Sequence, residues 1–169
     1  MDKNLARIFV ENRAEENMVK RLYSDYLKAN QISVDMCWFA ATALSMAASS
    51  LLRFPENPVV VILNATDREK YDELQESTER ILTRAASRDK WHVAVVVPDI
   101  TTWLISDPKF QSAAFQRPLK DKISISVYFG EWSASGNRIN RNAISQANPD
   151  FQQLDQFLER KIQRFQQVA

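Results

Sequence analysis

The chain has 169 residues, is 45% hydrophobic and 25% charged, and carries a formal net charge of +1. This length and balance predict a single domain, residues 1–169, that buries a core and lacks the overall basic charge of many nucleic-acid-binding proteins. A single cysteine, Cys37, and a single histidine, His92, exclude a disulfide framework and a Cys/His metal cluster. Two glycines are too few for a Walker loop or a dinucleotide-binding fingerprint.

The first residues do not have the pattern of a signal peptide, and one cysteine suits a reducing compartment. We therefore expect a cytoplasmic protein. The uncharged stretch 36–52 is short for a membrane span and contains several serines and alanines. It predicts a buried helix and no membrane association.

Strand and helix patterns alternate along the first half of the chain. Strand patterns lie at 5–10, 32–36 and 59–63, and helical apolar stripes lie at 11–30, 39–54 and 68–86. The run Val59–Leu63 is continuously apolar, which is typical of a strand buried on both faces of a parallel sheet.

The second half continues the alternation. It has a strand pattern at 91–97, a short helix at 100–106, a less regular stretch at 109–122, a strand-like alternation at 123–129, a polar loop at 130–148, and a helix from Pro149 capped by Asn148. The order predicts an α/β fold, with a mostly parallel sheet of about five strands and helices on both faces.

Candidate site residues follow the strands, because sites in open α/β sheets gather at the carboxyl ends of the strands. They are Glu11, Asn64, Asp67 and Asp99. Carboxylate oxygens at one sheet edge could bind Mg²⁺. The alternative interpretation is that Asp67 and Asp99 cap helices and Glu11 complements a helix dipole.

Val10-Glu11 before an amphipathic helix, and the buried strand Val59–Leu63 before Asn64-Ala65-Thr66-Asp67, resemble two motifs of toprim domains. The segment Trp103–Asp107 is similar to a Trp-Leu-Leu-x-Asp segment of toprim-like nucleases of the overcoming-lysogenization-defect type. The resemblance covers about residues 5–110 and implies a toprim/Rossmann-like fold with a Mg²⁺ site.

The chain departs from the toprim pattern at the positions that would bind metal. Asn64 and Thr66 replace the aspartate pair, Asn12 replaces a glycine, and Thr101 replaces a glutamate. An asparagine carbonyl can bind Mg²⁺ but brings no negative charge to the site. The resemblance therefore implies a degenerate active site.

A second candidate binding surface is the predicted loop that carries Trp132, Arg138 and Arg141. An aromatic ring close to two guanidinium groups could stack on bases and contact phosphates. The alternative is an ordinary solvated loop.

Three functional hypotheses follow. The first is a non-catalytic toprim-like interaction or regulatory domain without a cofactor, whose protein partner is an ATPase or a nucleic-acid enzyme. The second is a Mg²⁺-dependent nuclease or phosphotransferase that uses Glu11 and Asp67 as catalytic residues, and the third is a receiver-like signalling domain. Nucleic-acid binding and a homo-oligomer stay open in all three.

Overall fold

A computed structural model describes residues 5–119 and 121–167, with side chains described as far as Gln163; residues 1–4, 120, 168 and 169 of the predicted domain lie outside this description. The strands are β1 (Ala6–Val10), β2 (Ile32–Met36), β3 (Val59–Asn64) and β4 (Trp91–Val96). The helices are α1 (Arg13–Leu22), α2 (Ser24–Lys28), α3 (Ala40–Arg53), α4 (Arg68–Ala85), α5 (Thr101–Leu104), α6 (Pro108–Phe115), α7 (Lys122–Ala134), α8 (Arg141–Ala147) and α9 (Pro149–Gln167). The predicted α/β class is confirmed.

The described strands form one parallel sheet in the order β2-β1-β3-β4. The chain moves from β1 to one edge at β2 and then returns to the other side of β1 at β3. The change of direction lies between β1 and β3, where Ile8 pairs with Val60. In open α/β sheets this switch point is the usual place for a ligand site.

Helices cover both faces of the sheet, as predicted, and β3 shows why its sequence is apolar throughout. Val60 and Ile62 join the core formed with α1 and the helices from α5 to α9. Val59, Val61 and Leu63 join the core formed with α3 and α4. Successive side chains of a strand point to opposite faces, so a strand between two helical layers needs apolar residues at every position.

The predicted fifth strand at 123–129 is wrong, because these residues lie in α7. Asp121 and Ser124 form a capping box that starts the helix. Phe129 and Trp132, which are three residues apart, lie on one face of the helix and are both buried. The alternation of a strand would place them on opposite faces.

The predicted polar loop at 130–148 is also wrong, because it contains the end of α7 and all of α8. Asn140 caps α8 by accepting a hydrogen bond from the Ala143 amide at 3.2 Å. The stretch 109–122, predicted to be less regular, includes α6, which Asp107 and Pro108 begin. The long helix predicted at 11–30 is divided at Tyr23 into α1 and α2.

In the part of the chain that the structure describes, we find no helix both long enough and apolar enough to cross a membrane. The buried helix predicted at 36–52 is only partly confirmed: α3 buries one face against β3 and α4, whereas Met46 and Leu52 on it are exposed.

Candidate functional site

The switch point brings together two of the predicted site residues. Glu11 follows β1 and Asn64 ends β3. The Glu11 Oε2 accepts hydrogen bonds from the Asn64 backbone amide at 2.6 Å and from Asn64 Nδ2 at 2.9 Å. Parallel pairing of β1 with β3 therefore produces the contact that the sequence predicted only as a shared sheet edge.

Glu15 of α1 connects this pair to the rest of the site, and it is completely buried. Its Oε2 accepts from the Glu11 amide at 3.1 Å, and its Oε1 accepts from Asn12 Nδ2 at 2.9 Å. Asn64 Nδ2 also donates to Glu15 Oε1. Asn12 in turn caps α1 by accepting from the Glu15 amide at 3.0 Å, so asparagine at this position holds the site glutamate in place.

Lys122, the first residue of α7, completes the cluster. Its Nζ lies 2.9 Å from Glu15 Oε1, and its side chain is 27% exposed. A buried carboxylate needs a compensating charge or several hydrogen bonds, and Glu15 has both. We call Glu11, Glu15, Asn64 and Lys122 the carboxylate centre.

The two carboxylates do not have equal surroundings. Burial raises the pKa of Glu11, and the neighbouring charge of Glu15 acts in the same direction. The hydrogen bonds from Asn64 and the charge of Lys122 act to lower the pKa without cancelling the effect of burial. Glu11 therefore takes up a proton more readily than an ordinary glutamate does.

The carboxylate centre does not fit a Mg²⁺ ion. The Asn64 amide nitrogen and the Lys122 ammonium are hydrogen-bond donors that contact the carboxylate oxygens a metal would need. The Asn64 Oδ1 is buried without a hydrogen-bond partner, but a neutral amide oxygen alone does not hold Mg²⁺, which binds through carboxylates. Within the described residues, no three histidine, cysteine or acidic side chains are grouped so that they could hold a metal ion.

Asp67 and Asp99, the other predicted metal ligands, have local roles. Asp67 caps α4 by accepting from the Lys70 amide at 2.8 Å. Asp99 Oδ1 accepts from the Thr101 amide at 2.9 Å and from the Thr101 hydroxyl at 2.6 Å. These are the helix-end roles of the alternative interpretation, and no hydrogen bond or ion pair among the described residues joins either carboxylate to Glu11.

The segment Trp103–Asp107, which carries the third resemblance, has a structural role. Trp103 lies in the core, where its ring meets Phe151 edge to face at a centroid distance of 5.1 Å. The buried Asp107 accepts from the Lys109 and Phe110 amides at 2.8 and 3.0 Å. It therefore begins α6.

The predicted binding residues Trp132, Arg138 and Arg141 do not form one surface. Trp132 is buried, and its ring packs against Phe110 and Phe129 at centroid distances of 5.3 and 6.2 Å. Arg138 and Arg141 instead line one concave pocket. The two arginines therefore lie together, whereas the tryptophan lies in the core.

The sequence did not predict Glu15 or Lys122 as residues of the site. Glu15 had a local signal, because Asn12-x-x-Glu15 matches a helix-capping pattern next to the predicted Glu11. Lys122 had no such signal, since it is 107 residues from Glu15 and lies in a helix that was predicted as a strand.

An apolar groove lies next to the carboxylate centre, and Trp38, Ile123 and Val127 line it together with Lys122. Trp38 is 69% exposed, Ile123 68% and Val127 58%. Trp38 has a φ of 69°, and the Phe39 amide donates to the Cys37 carbonyl at 2.9 Å across it. This three-residue turn with positive φ is a rare and strained conformation.

Neither a family model, nor a curated protein, nor a solved structure matches the chain.

Proposed function

We propose that this protein is a non-catalytic, toprim-like interaction or regulatory domain whose partner is an ATPase or a nucleic-acid enzyme. The toprim likeness rests on the two strand-end motifs and on the segment Trp103–Asp107. The meeting of Glu11 and Asn64 at the switch point agrees with it.

The observation that carries the non-catalytic part is that Lys122 and Asn64 already contact the carboxylates of the carboxylate centre. Metal-dependent phosphoryl chemistry needs carboxylates free to bind cations and to balance charge on the phosphate. Here Glu15 Oε1 is paired with the Lys122 ammonium, and Glu11 Oε2 accepts hydrogen bonds from Asn64. The centre therefore joins β1, β3, α1 and α7 and is proposed to have no catalytic step.

The interaction part is supported by the apolar groove and by the adjacent residue Phe39. Phe39 is 71% exposed and occupies the N-cap of α3, where it makes no capping hydrogen bond. Serine, aspartate or asparagine would stabilise this position by about 1 kcal/mol. Trp38 and Phe39 thus both lower the stability of the chain on its own, and both expose large aromatic rings. This combination is typical of a binding surface.

Metal binding tests the non-catalytic part. Calorimetric titration of the full chain with Mg²⁺ and with Mn²⁺ is expected to give no binding heat at concentrations of about 5 mM. A DNA-cleavage assay with either metal is expected to give no product from the wild type or from Glu11→Gln. Metal-dependent cleavage by the wild type that Glu11→Gln abolishes would establish a nuclease and overturn the proposal.

The apolar groove provides the test of partner binding. A tagged full-length chain is isolated from its native cells, and the protein that accompanies it is purified. That protein is then titrated against the wild type, Val127→Asp and Arg84→Gln. Val127→Asp is expected to weaken binding by about 100-fold, because it places a charge in an apolar contact. The matched control Arg84→Gln, on exposed α4, is expected to bind as the wild type does; equal affinity for all three forms would move the interface elsewhere.

A further inference from the structure

A second concave site lies away from the carboxylate centre. A cavity of about 300 Å³ is bordered by the end of α1, by α2, by the end of α7 and by the segment that leads into α8. Arg21 lies eight residues after Arg13, the first residue of α1, which is about 12 Å along the helix axis. The two sites are therefore at opposite ends of α1.

Four basic side chains line this cavity, which we call the basic pocket: Arg21, Lys28, Arg138 and Arg141. The acidic residue in its lining is Asp25, and Ser24, Ser133 and Asn137 add polar groups. The whole chain has a net charge of only +1, so this is a local concentration of positive charge. Such a concave basic surface attracts anions.

Three of the four basic side chains form no ion pair within the described part of the chain. Among the described residues, no ion pair involves Arg21, Lys28 or Arg138. The C-terminal end of a helix dipole is partly negative and favours basic residues in the last turn, and Arg21 of α1 and Lys28 of α2 are placed in this way. Arg138 lies outside any helix and has no such explanation.

Arg141 is held rigidly at the edge of the pocket. Its guanidinium stacks on Tyr23 and Tyr26, at 5.1 and 4.8 Å from the ring centroids. The Tyr23 hydroxyl donates to Asp155 at 3.1 Å, and the charge of Arg141 acts to lower the pKa of that carboxyl. Even so, the buried Nη1 of Arg141 has no hydrogen-bond partner. Two aromatic rings thus position the guanidinium of Arg141, which lines the pocket and can donate to an acceptor oxygen.

Gly130 lets Arg21 lie close against α7. A Cβ added at Gly130 would be 3.0 Å from Arg21 Nη2. Glycine inside a helix is normally less stable than alanine, so its presence here needs a reason. The close approach of the guanidinium provides one, and it places Arg21 at the wall of the pocket.

From these observations we infer that the basic pocket binds a small phosphomonoester. Arginine donors match the oxygens of a phosphate group, and four positive charges suit a dianion. The volume of about 300 Å³ is at the lower end of the range for small-molecule sites, which fits a sugar phosphate better than a long polymer.

The test is calorimetric titration of the full chain with inorganic phosphate, ribose 5-phosphate and ribose. Phosphate and ribose 5-phosphate are expected to bind and ribose is not, since the phosphate carries the recognition. Arg138→Gln is expected to weaken ribose 5-phosphate binding by about tenfold, the effect of losing one charged hydrogen bond. Arg84→Gln, which removes the same charge from the opposite face of the sheet, is expected to leave the affinity unchanged.

A second variant separates binding from folding. Gly130→Ala is expected to retain the thermal stability of the wild type, because alanine favours the helix, while it displaces Arg21 and weakens ribose 5-phosphate binding. The proposal is overturned if the wild type binds neither phosphate compound at about 10 mM, or if Arg84→Gln weakens binding as much as Arg138→Gln. It is also overturned if an oligonucleotide without a terminal phosphate binds more tightly than ribose 5-phosphate and Arg138→Gln abolishes that binding, since the ligand would then be a nucleic-acid backbone.

Discussion

At the scale of single residues, Trp38 has the conformation least expected from its side chain. A bulky residue with φ of 69° is strained, and the ring recovers little of that energy because it is 69% exposed. Glycine adopts this conformation without a steric penalty. The sequence therefore retains tryptophan at a position where the fold alone would favour glycine.

We expect Trp38→Gly to raise the free energy of unfolding by about 1 kcal/mol, because it relieves the left-handed strain. Trp38→Ala retains a Cβ and hence the strain, so it should leave the stability close to that of the wild type. Urea denaturation of the three proteins provides the comparison. A loss of stability in Trp38→Gly would mean that the ring packs in solution, contrary to its exposure in the structure.

Glu11 gives a pH-dependent prediction. Burial raises its pKa above the ordinary value of 4.5, so the folded protein holds the proton more tightly than the unfolded chain does. The favourable contribution of protonated Glu11 is complete at acidic pH and is lost as the pH rises through the raised pKa. Glu11→Gln, which resembles the protonated form, should therefore be at least as stable as the wild type at pH 7, and this advantage should disappear at lower pH.

Glu16 is the matched control, because its pKa shifts in the opposite direction. Burial acts to raise the pKa of Glu16, but the hydrogen bonds and charges of Lys20 and Arg13 outweigh it and hold the pKa below the ordinary value. Glu16→Gln should therefore destabilise the protein at pH 7, with a difference that fades as the pH falls below about 4.5. Urea denaturation across this pH range measures the stability of both variants. The same pH trend in both would contradict the opposite pKa shifts of Glu11 and Glu16.

At the scale of elements, Asp107 connects parts of the chain that are distant in sequence. One of its oxygens begins α6, and Oδ2 accepts from the Asn140 amide at 2.6 Å, just before α8. Asp121, which caps α7, is exposed and makes only local hydrogen bonds. The two aspartates have the same local role, but only Asp107 also fixes a second element.

Asp107→Ala should therefore lower the free energy of unfolding by about 3 kcal/mol, because three backbone amides lose a charged acceptor at a buried site. Asp121→Ala should cost about 1 kcal/mol, the usual effect of losing one exposed cap. Thermal and urea denaturation measure both. Equal losses in the two variants would show that the contact with Asn140 adds nothing.

The four strands could be predicted from the sequence, whereas helix α7 could not. The four strands were predictable because the buried runs and alternation between Ala6 and Val96 reflect burial in a sheet. The helix α7 was not, because Ile123, Ile125 and Val127 alternate like a strand although two of them face solvent on a helix. The exposed apolar residues of the groove thus gave a helix the alternating pattern of a strand. Because α7 was not predicted, Lys122 could not be placed at the site.

At the scale of the whole molecule, the two sites make opposite predictions about ligand-induced stability. A ligand that binds only the native state raises the free energy of unfolding by an amount that grows with its concentration relative to its dissociation constant. In the carboxylate centre Glu15 is paired with Lys122 and Glu11 accepts hydrogen bonds from Asn64, so a divalent cation would have to displace these donors. In the basic pocket Arg21, Lys28 and Arg138 form no ion pair with any described residue, so a phosphate has donors to meet.

We therefore expect the midpoint of thermal unfolding to be the same with about 5 mM Mg²⁺ as with a chelator, and to rise with about 5 mM ribose 5-phosphate. Ribose at the same concentration controls for the sugar, and sodium chloride at matched ionic strength controls for screening. Arg138→Gln should reduce the rise without changing the midpoint of the free protein by more than about 1 °C, because Arg138 is exposed and forms no ion pair with another described residue. A rise with Mg²⁺ that Glu11→Gln removes would show that Lys122 and Asn64 yield to a metal, and the carboxylate centre would then be a cation site.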